Sequence, residues 1–193
     1  MNTTVVPRPS FSKSVPRGAT HCSLWLHAAA VCCFASLFSL MPDHPAQSAG
    51  RLVEFSHNAG PGTIVVRTSE RRLYLVLRSG QAIRYVVGVG RSGRQWTGVT
   101  KIDGKYLQPN WAPPPEIRND RPSVPDVIPG GSPRNPLGVA AMTLSGGKYA
   151  IHGTNSPQSI GGFVSYGCIR MFNEDISDLY ARVAVGSRVI VTP

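Results

Sequence analysis

A histidine and a cysteine in the C-terminal part of the chain have the types and spacing needed for nucleophilic chemistry. His152 follows an apolar stretch, and Cys168 stands sixteen positions later. A cysteine attacks a carbonyl carbon as its thiolate, and a nearby imidazole can accept the thiol proton and remain as the counter-ion. The pair therefore predicts a covalent acyl-transfer site, with Cys168 as the nucleophile and His152 as the general base.

The residues around Cys168 suit the same chemistry. Gly167 precedes the cysteine and permits a sharp turn with close substrate approach. We predict that backbone N–H groups of Tyr166, Gly167 and Cys168 form an oxyanion hole. Arg170 shares a face with Cys168 in extended backbone, so it is suited to bind a substrate carboxylate. A surface salt bridge is the alternative interpretation of this arginine.

A metal centre is another common use of cysteine and histidine. Zinc is held by three or four ligands at close spacing. Cys168 and His152 have no such companions nearby in the sequence, and His57 is remote. We therefore expect no metal at this pair.

Short stretches with a period of two must position the pair, and they predict a mainly β fold. The predicted strands are an antiparallel meander over residues 63–68, 73–77 and 81–87, a hairpin over 97–106 that turns at Asp103–Gly104, a pair over 137–144 and 148–151, and a last strand over 187–192. His152 then lies at a strand end. The one predicted helix follows Cys168, with Asn173 as its N-cap and an apolar face against the sheet.

A glycine motif at Gly88–Gly93 fits the pattern G-x-G-x-x-G. The dinucleotide fingerprint also requires a helix that begins at once. The residues that follow are not helical in pattern, so we expect no dinucleotide and no cofactor.

The chain divides into an export segment over residues 1–48, a short linker over 49–62 and a folded domain over 63–193. A basic start, the apolar stretch Cys22–Met41 and the small residues that follow it predict a signal peptide cleaved after Ser48, or an uncleaved inner-membrane anchor. We therefore expect an exported protein of the periplasm or cell-wall space. Cys168 is then the one cysteine of the mature chain, which is unusual in an oxidising compartment.

A proline-rich loop over residues 108–136 holds nine of the 17 prolines, together with Trp111. A loop of this length inside a domain is usually functional or disordered. Proline stiffens it, so we predict a semi-ordered flap near the site. A floppy surface insert is the alternative.

The formal net charge of +10 is spread over the sequence. Nucleic-acid binding proteins cluster their basic residues and interleave them with aromatic ones. Neither pattern occurs here, so we expect no nucleic-acid partner. After export, the anionic partners would be cell-wall polymers and membrane surfaces, and solubility alone is an equal alternative.

Residues 135–171 resemble the catalytic core of the L,D-transpeptidases, the YkuD-type domain. The motifs that carry the resemblance are Asn135–Gly138, Ile151–Thr154, Ser159–Gly161 and Ser165–Met171. A weaker match spans about residues 62–193. The resemblance implies a mixed β-sandwich with a short helix after the nucleophile, which agrees with the strand pattern.

The resemblance also implies site residues and a reaction. Cys168 matches the acylated position, His152 the general base, and Gly153 the residue whose carbonyl orients that base. The positions of Ser165, Gly167 and Arg170 shape the site. The implied substrate is a peptidoglycan tetrapeptide stem, which loses its terminal D-alanine. The acyl group then passes to an amine of a second stem or of a lipoprotein, without a cofactor.

Two positions depart from the family pattern. Tyr166 stands where histidine is common, so the electrostatics of the site are expected to differ. Gln95–Gly98 lacks the proline of the usual Thr-Pro-Thr-Gly motif, so the local turn is expected to be looser.

Two other functions compete with the transferase. A hydrolase with the same acyl-enzyme would use water as the acceptor, as an L,D-carboxypeptidase or an enzyme that cuts cross-links or lipoprotein linkages. A wall-binding protein that has lost catalysis is the third possibility, and the intact His152, Gly153 and Cys168 argue against it.

Overall fold

The computed structural model describes residues 50–193, so the predicted export segment over residues 1–48 lies outside the described residues. The strands are β1 Arg51–Glu54, β2 Ile64–Arg67, β3 Arg72–Val76, β4 Gln81–Val86, β5 Val89–Gly90, β6 Gly98–Leu107, β7 Ala140–Leu144, β8 Ala150–His152, β9 Phe163–Ser165, β10 Ile169–Arg170 and β11 Arg188–Thr192. The α-helices are α1 Pro115–Asp120 and α2 Asn173–Arg182, and a short 3₁₀ turn covers Pro157–Ser159. The predicted mainly β fold, with a helix after Cys168, is confirmed.

Nine strands form one mixed sheet in the order β1-β4-β3-β2-β11-β6-β7-β8-β10, and β5 pairs with β9 in a small second sheet. The predicted meander is present as β2, β3 and β4, which are antiparallel. Strand β11 returns from the C-terminus and lies parallel to β2 and antiparallel to β6. The last strand of the chain is therefore central in the sheet.

The alternation of side chains in the meander explains why both faces of this part of the sheet are buried. Ile64 and Val66 face the main core, while Val65 between them faces a second cluster around Phe55. The main core also takes side chains from β7, β8, β10 and α2. The two halves of the sheet thus pack on a common interior, which holds the strands of the candidate site in place.

Two sequence predictions about strands are wrong. Residues 97–106 do not form a hairpin, because β6 runs through Asp103–Gly104 as one ten-residue strand with an irregular register between Ile102 and Gly104. Asp103 and Gly104 suit a β-bulge as well as a hairpin turn, so the sequence pattern alone does not distinguish the two. The bulge lets β6 pair first with β11 and then with β7. The expected linker over 49–62 contains β1, whose Leu52 pairs with Ile83 of β4.

Two helix predictions also differ from the structure. The proline-rich loop contains α1, which begins at Pro115 because proline suits the first helical turn. Asn173 is the first residue of α2 and does not cap it, since Phe172 occupies the N-cap position. The Asn173 side chain has another role, described below. Within residues 50–193 no helix has the length and apolar character to cross a membrane.

Candidate active site

Two short parallel strands place the predicted nucleophile and base on one side of the sheet. Arg170 of β10 lies opposite His152 of β8, and Ile169 lies opposite Ile151. Both isoleucines point into the main core. Because side chains alternate along a strand, His152, Arg170 and Cys168 share the opposite face.

These three side chains line one cavity of about 310 Å³, which we call the cysteine cavity. The proline-rich loop supplies much of its other wall. The lining residues from that loop are Trp111, Pro114, Pro115, Glu116, Ile117 and Pro136, and Lys148 and Tyr149 close a further side. Apolar walls beside a few polar groups are typical of a small-molecule or peptide site.

His152 is held in one tautomer by its neighbour. Its Nδ1–H donates to the carbonyl oxygen of Gly153 at 2.6 Å, so Nε2 is the nitrogen that can accept a proton. The pKa of His152 is lowered from 6.5 to about 4, mainly by burial and also by the positive charge of Arg170. The carbonyl groups of Gly153 and Pro136 act in the opposite direction. The imidazole is therefore neutral at pH 7.

Cys168 is half-buried, and burial raises the pKa of its thiol above the ordinary value. A hydrogen bond from the Ala150 backbone and the charge of Arg170 lower the pKa by a smaller amount. The resting pair is thus a neutral thiol beside a neutral imidazole. Such a pair performs chemistry when the proton moves from sulfur to nitrogen during attack on a carbonyl.

A dense set of contacts fixes the turn that presents Cys168. Ser165 Oγ donates to the Cys168 carbonyl at 2.6 Å and accepts from the Gly167 N–H at 3.0 Å. The Gly167 carbonyl accepts from the Trp96 indole at 2.9 Å. Gly167 has a φ of 122°, and a Cβ there would meet the Tyr149 ring at 2.3 Å, so the position requires glycine. The Gly167 N–H already donates to Ser165 within the turn, so it is not free to bind an oxyanion. Of the three N–H groups predicted to form the oxyanion hole, those of Tyr166 and Cys168 remain.

The family comparison agrees with this geometry. The model of the YkuD L,D-transpeptidase catalytic domain matches residues 61–191. The chain belongs to this family.

Two curated relatives from Escherichia coli strain K12 support the assignment. "Probable L,D-transpeptidase ErfK/SrfK" is 40% identical over 135 residues, which cover 65% of this chain and 42% of the relative. "Probable L,D-transpeptidase YbiS" is 39% identical over 135 residues, with 65% of this chain and 43% of the relative covered. The chain thus matches less than half the length of these L,D-transpeptidases.

Solved structures of L,D-transpeptidases share the fold. An L,D-transpeptidase from Mycobacterium smegmatis matches with a TM-score of 0.54 at 18% sequence identity. The match covers 68% of this chain and 58% of the M. smegmatis chain. L,D-transpeptidase 3 from Mycobacterium tuberculosis has a TM-score of 0.54 at 16% identity, with 69% and 62% covered. At such identities the likeness concerns the fold alone.

Tyr166 ties the proline-rich loop of this L,D-transpeptidase domain to the turn that presents Cys168. Its hydroxyl donates to Asp120 at the end of α1. Asp120 also forms an ion pair of 3.0 Å with Arg91, whose guanidinium lies 4.1 Å from the Tyr166 ring centroid. Arg94 lies over the same ring and reaches Glu116 of α1 at 4.0 Å. We call this group the Tyr166 latch.

Two positioning roles in the L,D-transpeptidase domain, those of Asn173 and Trp96, were missed from the sequence. The Oδ1 atom of Asn173 accepts from the N–H of Thr154 at 3.0 Å and so fixes the backbone that follows His152. Trp96 stacks on Tyr149 with a centroid distance of 4.8 Å and supports the Cys168 turn. Their partners are remote in the sequence, so no local pattern signals these contacts.

The remaining sequence-predicted site residues are placed as follows. Gly153 packs so closely that a Cβ would meet Asn173 Oδ1 at 2.4 Å. The Nε atom of Arg170 is buried and has no hydrogen-bond partner within the described part of the chain. Among residues 50–193, no three His, Cys, Asp or Glu side chains cluster as metal ligands would.

Proposed function

We propose that the chain is an L,D-transpeptidase that acts on peptidoglycan tetrapeptide stems through a Cys168 acyl-enzyme. The single observation that carries the proposal is the shared cavity of Cys168, His152 and Arg170, with His152 Nδ1 bound to Gly153. This arrangement frees Nε2 to take the thiol proton. Membership of the L,D-transpeptidase family supports this reaction class.

In the first half-reaction, His152 Nε2 accepts the proton of Cys168 as Sγ attacks the carbonyl carbon of the third stem residue. The N–H groups of Tyr166 and Cys168 stabilise the resulting oxyanion. The bond to the terminal D-alanine then breaks, and His152 returns the proton to the leaving amine. D-alanine departs, and a thioester remains on Cys168.

In the second half-reaction, an amine attacks the thioester carbon. His152 takes a proton from the amine nitrogen, the C–S bond breaks, and the proton passes to the thiolate. The product is a new amide and the enzyme returns to its starting state. A second stem or a lipoprotein supplies the amine. Water in its place would give the hydrolase alternative.

The proposal includes the location and organisation of the protein. An export signal or anchor over residues 1–48 would deliver the domain to the periplasm or cell-wall space, where its substrate lies. The proline-rich loop over 108–136 would close the cysteine cavity around the stem. Cell-wall cross-linking or remodelling is the resulting role.

The test uses the purified protein and a disaccharide-tetrapeptide. Intact-protein mass spectrometry is expected to detect an acyl-enzyme at Cys168, and Cys168→Ala is expected to abolish it. His152→Gln is expected to slow acylation by about 10²- to 10⁴-fold, because general base catalysis contributes on that scale. Equal activity of Cys168→Ala would disprove the nucleophile assignment, and a near-normal rate of His152→Gln would disprove that of the base.

The same assay separates transferase from hydrolase when a second stem is present. A cross-linked dimer supports the transferase. Tripeptide without any dimer, over a range of acceptor concentrations, would favour the L,D-carboxypeptidase alternative.

A further inference from the structure

A second cavity of about 340 Å³ lies next to the cysteine cavity, and we call it the arginine cavity. The two cavities share a wall, which consists of Trp111, Ile117, Pro136, Tyr166 and Arg170. A molecule in the arginine cavity is therefore close to any acyl group on Cys168. The proposed first half-reaction leaves this second space unused.

Four arginines line the arginine cavity, namely Arg91, Arg121, Arg134 and Arg170, and no aspartate or glutamate from the described chain does. Arg91 is paired with Asp120 at 3.0 Å. Within residues 50–193 the other three form no ion pair. The cavity thus concentrates positive charge that the protein itself does not neutralise.

Two further observations point to an anionic ligand. The Nε–H of Arg170 is buried and has no acceptor within the described residues, which is costly for a charged group. Burial lowers the pKa of Arg170, and the charge of Arg121 lowers it further, so the two guanidinium groups repel each other. A carboxylate between them would satisfy the donor and offset the repulsion.

We propose that the arginine cavity is the acceptor subsite, in which a peptide carboxylate next to the attacking amine binds the arginines. This inference rests on the proposed function and deepens it. The cavity is large enough for part of a peptide, and its wall of Tyr166 and Arg170 separates acceptor from donor. A carboxylate held there brings the neighbouring amine to the Cys168 thioester.

The positive field has a second effect on the acceptor. An amine attacks only in its neutral form, and nearby positive charges disfavour its ammonium form. The arginines thus anchor the carboxylate and keep its neighbouring amine deprotonated. Attack forms the C–N bond and breaks the C–S bond, while the amine proton passes through His152 to the departing sulfur.

The experiment compares Arg121→Gln, Arg134→Gln and the control Arg78→Gln. All three positions are exposed, so each variant is expected to fold. Arg121 and Arg134 do not line the cysteine cavity, and Arg78 lines neither. Each variant loses one positive charge, so the control corrects for the net charge.

Donor acylation is measured first, with tetrapeptide alone, and is expected to stay within about twofold of wild type in all three variants. Cross-linking is then measured against acceptor concentration. The acceptor KM is expected to rise about tenfold in Arg121→Gln and Arg134→Gln, as for loss of a charge-assisted hydrogen bond, and to stay unchanged in Arg78→Gln. The dimer-to-tripeptide ratio falls accordingly.

An acceptor with that carboxylate converted to an amide tests the ligand class. With wild-type protein, the KM of the amidated acceptor is expected to be about tenfold higher than that of the unmodified acceptor. With the Arg121→Gln and Arg134→Gln variants, amidation is expected to raise the acceptor KM no further. Unchanged acceptor KM in both variants, a rise in the donor KM alone, or equal use of the amidated acceptor would each overturn the inference. Absence of any wild-type acyl-enzyme would instead refute the proposed function, so the two failures are distinguishable.

Discussion

At the scale of single residues, burial decides the protonation states of Cys168 and His152. Burial opposes charge on either group, so it raises the pKa of the thiol and lowers that of the imidazole to about 4. Arg170 favours the thiolate and disfavours the imidazolium. Together these effects favour a neutral pair over a resting ion pair. Proton transfer then accompanies attack rather than preceding it.

This predicts a distinctive pH dependence for acylation by the free enzyme. His152 accepts a proton only when neutral, so the rate falls as the pH drops through about 4 instead of through the ordinary histidine value of 6.5. We expect kcat/KM for acylation to be flat between about pH 5.5 and 7.5, measured by rapid mixing with tetrapeptide. An acidic limb near pH 6.5 would mean that the imidazole is not shielded as described.

The sequence singled out two candidate chemical residues, which the structure brings into one cavity, but it did not reveal their supports. Cys168 and His152 stand out because few residue types act as nucleophile or base, and their motifs are local. The sequence predicts Asn173 to be a helix cap, because asparagine is favoured at that position. Its contact with Thr154 depends on how α2 packs on the sheet, and such long-range packing leaves no local pattern.

At the scale of elements, the Tyr166 latch joins the proline-rich loop to the turn that presents Cys168. Helix α1 is short and has no buried residues of its own, so burial of its side chains does little to hold it. Its attachments are Tyr166 and Arg91 on Asp120, and Arg94 on Glu116. Exposed ion pairs contribute little individually, so the hydroxyl of Tyr166 is the distinctive part. We infer that Tyr166 positions the wall of the cysteine cavity.

Tyr166→Phe removes this hydroxyl and keeps the ring under Arg91. We expect the donor KM to rise by about 2- to 10-fold, the range for one hydrogen bond, with little change in kcat. Amide hydrogen exchange in residues 113–121 is expected to accelerate. Tyr106→Phe, at an exposed tyrosine of β6, is the matched control. Unchanged exchange in 113–121 would show that the latch does not hold α1.

At the scale of the whole molecule, α2 connects the N-terminal meander with the strands of the site. Tyr85 of β4 donates to Asp178 at 2.6 Å, and Lys105 of β6 donates to the Tyr180 and Val183 carbonyls at the end of the helix. Gly50, before β1, donates its N–H to Asp175 at 3.3 Å. Periodicity predicts the apolar face of α2. It cannot predict contacts between residues that lie this far apart in the sequence.

Among these contacts of α2, the burial of the Asp175 carboxylate reduces the stability of the folded protein. Asp175 is 5% exposed and forms no ion pair with any described residue. Its pKa is raised to about 6, mainly by burial and also by the nearby Glu174 and Asp178, while the Gly50 N–H opposes the shift. The ionised form is thus disfavoured in the folded protein. Folding loses stability as the pH rises from the unfolded value of 3.8 through about 6.

Asp175→Asn keeps the side-chain oxygen that accepts from Gly50 and removes the charge. The variant is therefore expected to be more stable than wild type by about 1–2 kcal/mol at pH 7.5, with the difference vanishing near pH 4, where Asp175 is protonated. Denaturant unfolding of both proteins at both pH values measures the difference in the free energy of unfolding. His152 titrates in both proteins, so its contribution cancels in this difference. Asp178→Asn is the control with opposite sign, since it removes the charge that pairs with Arg182 at 2.8 Å. A destabilised Asp175→Asn at pH 7.5 would show that a cation neutralises the carboxylate in the folded protein.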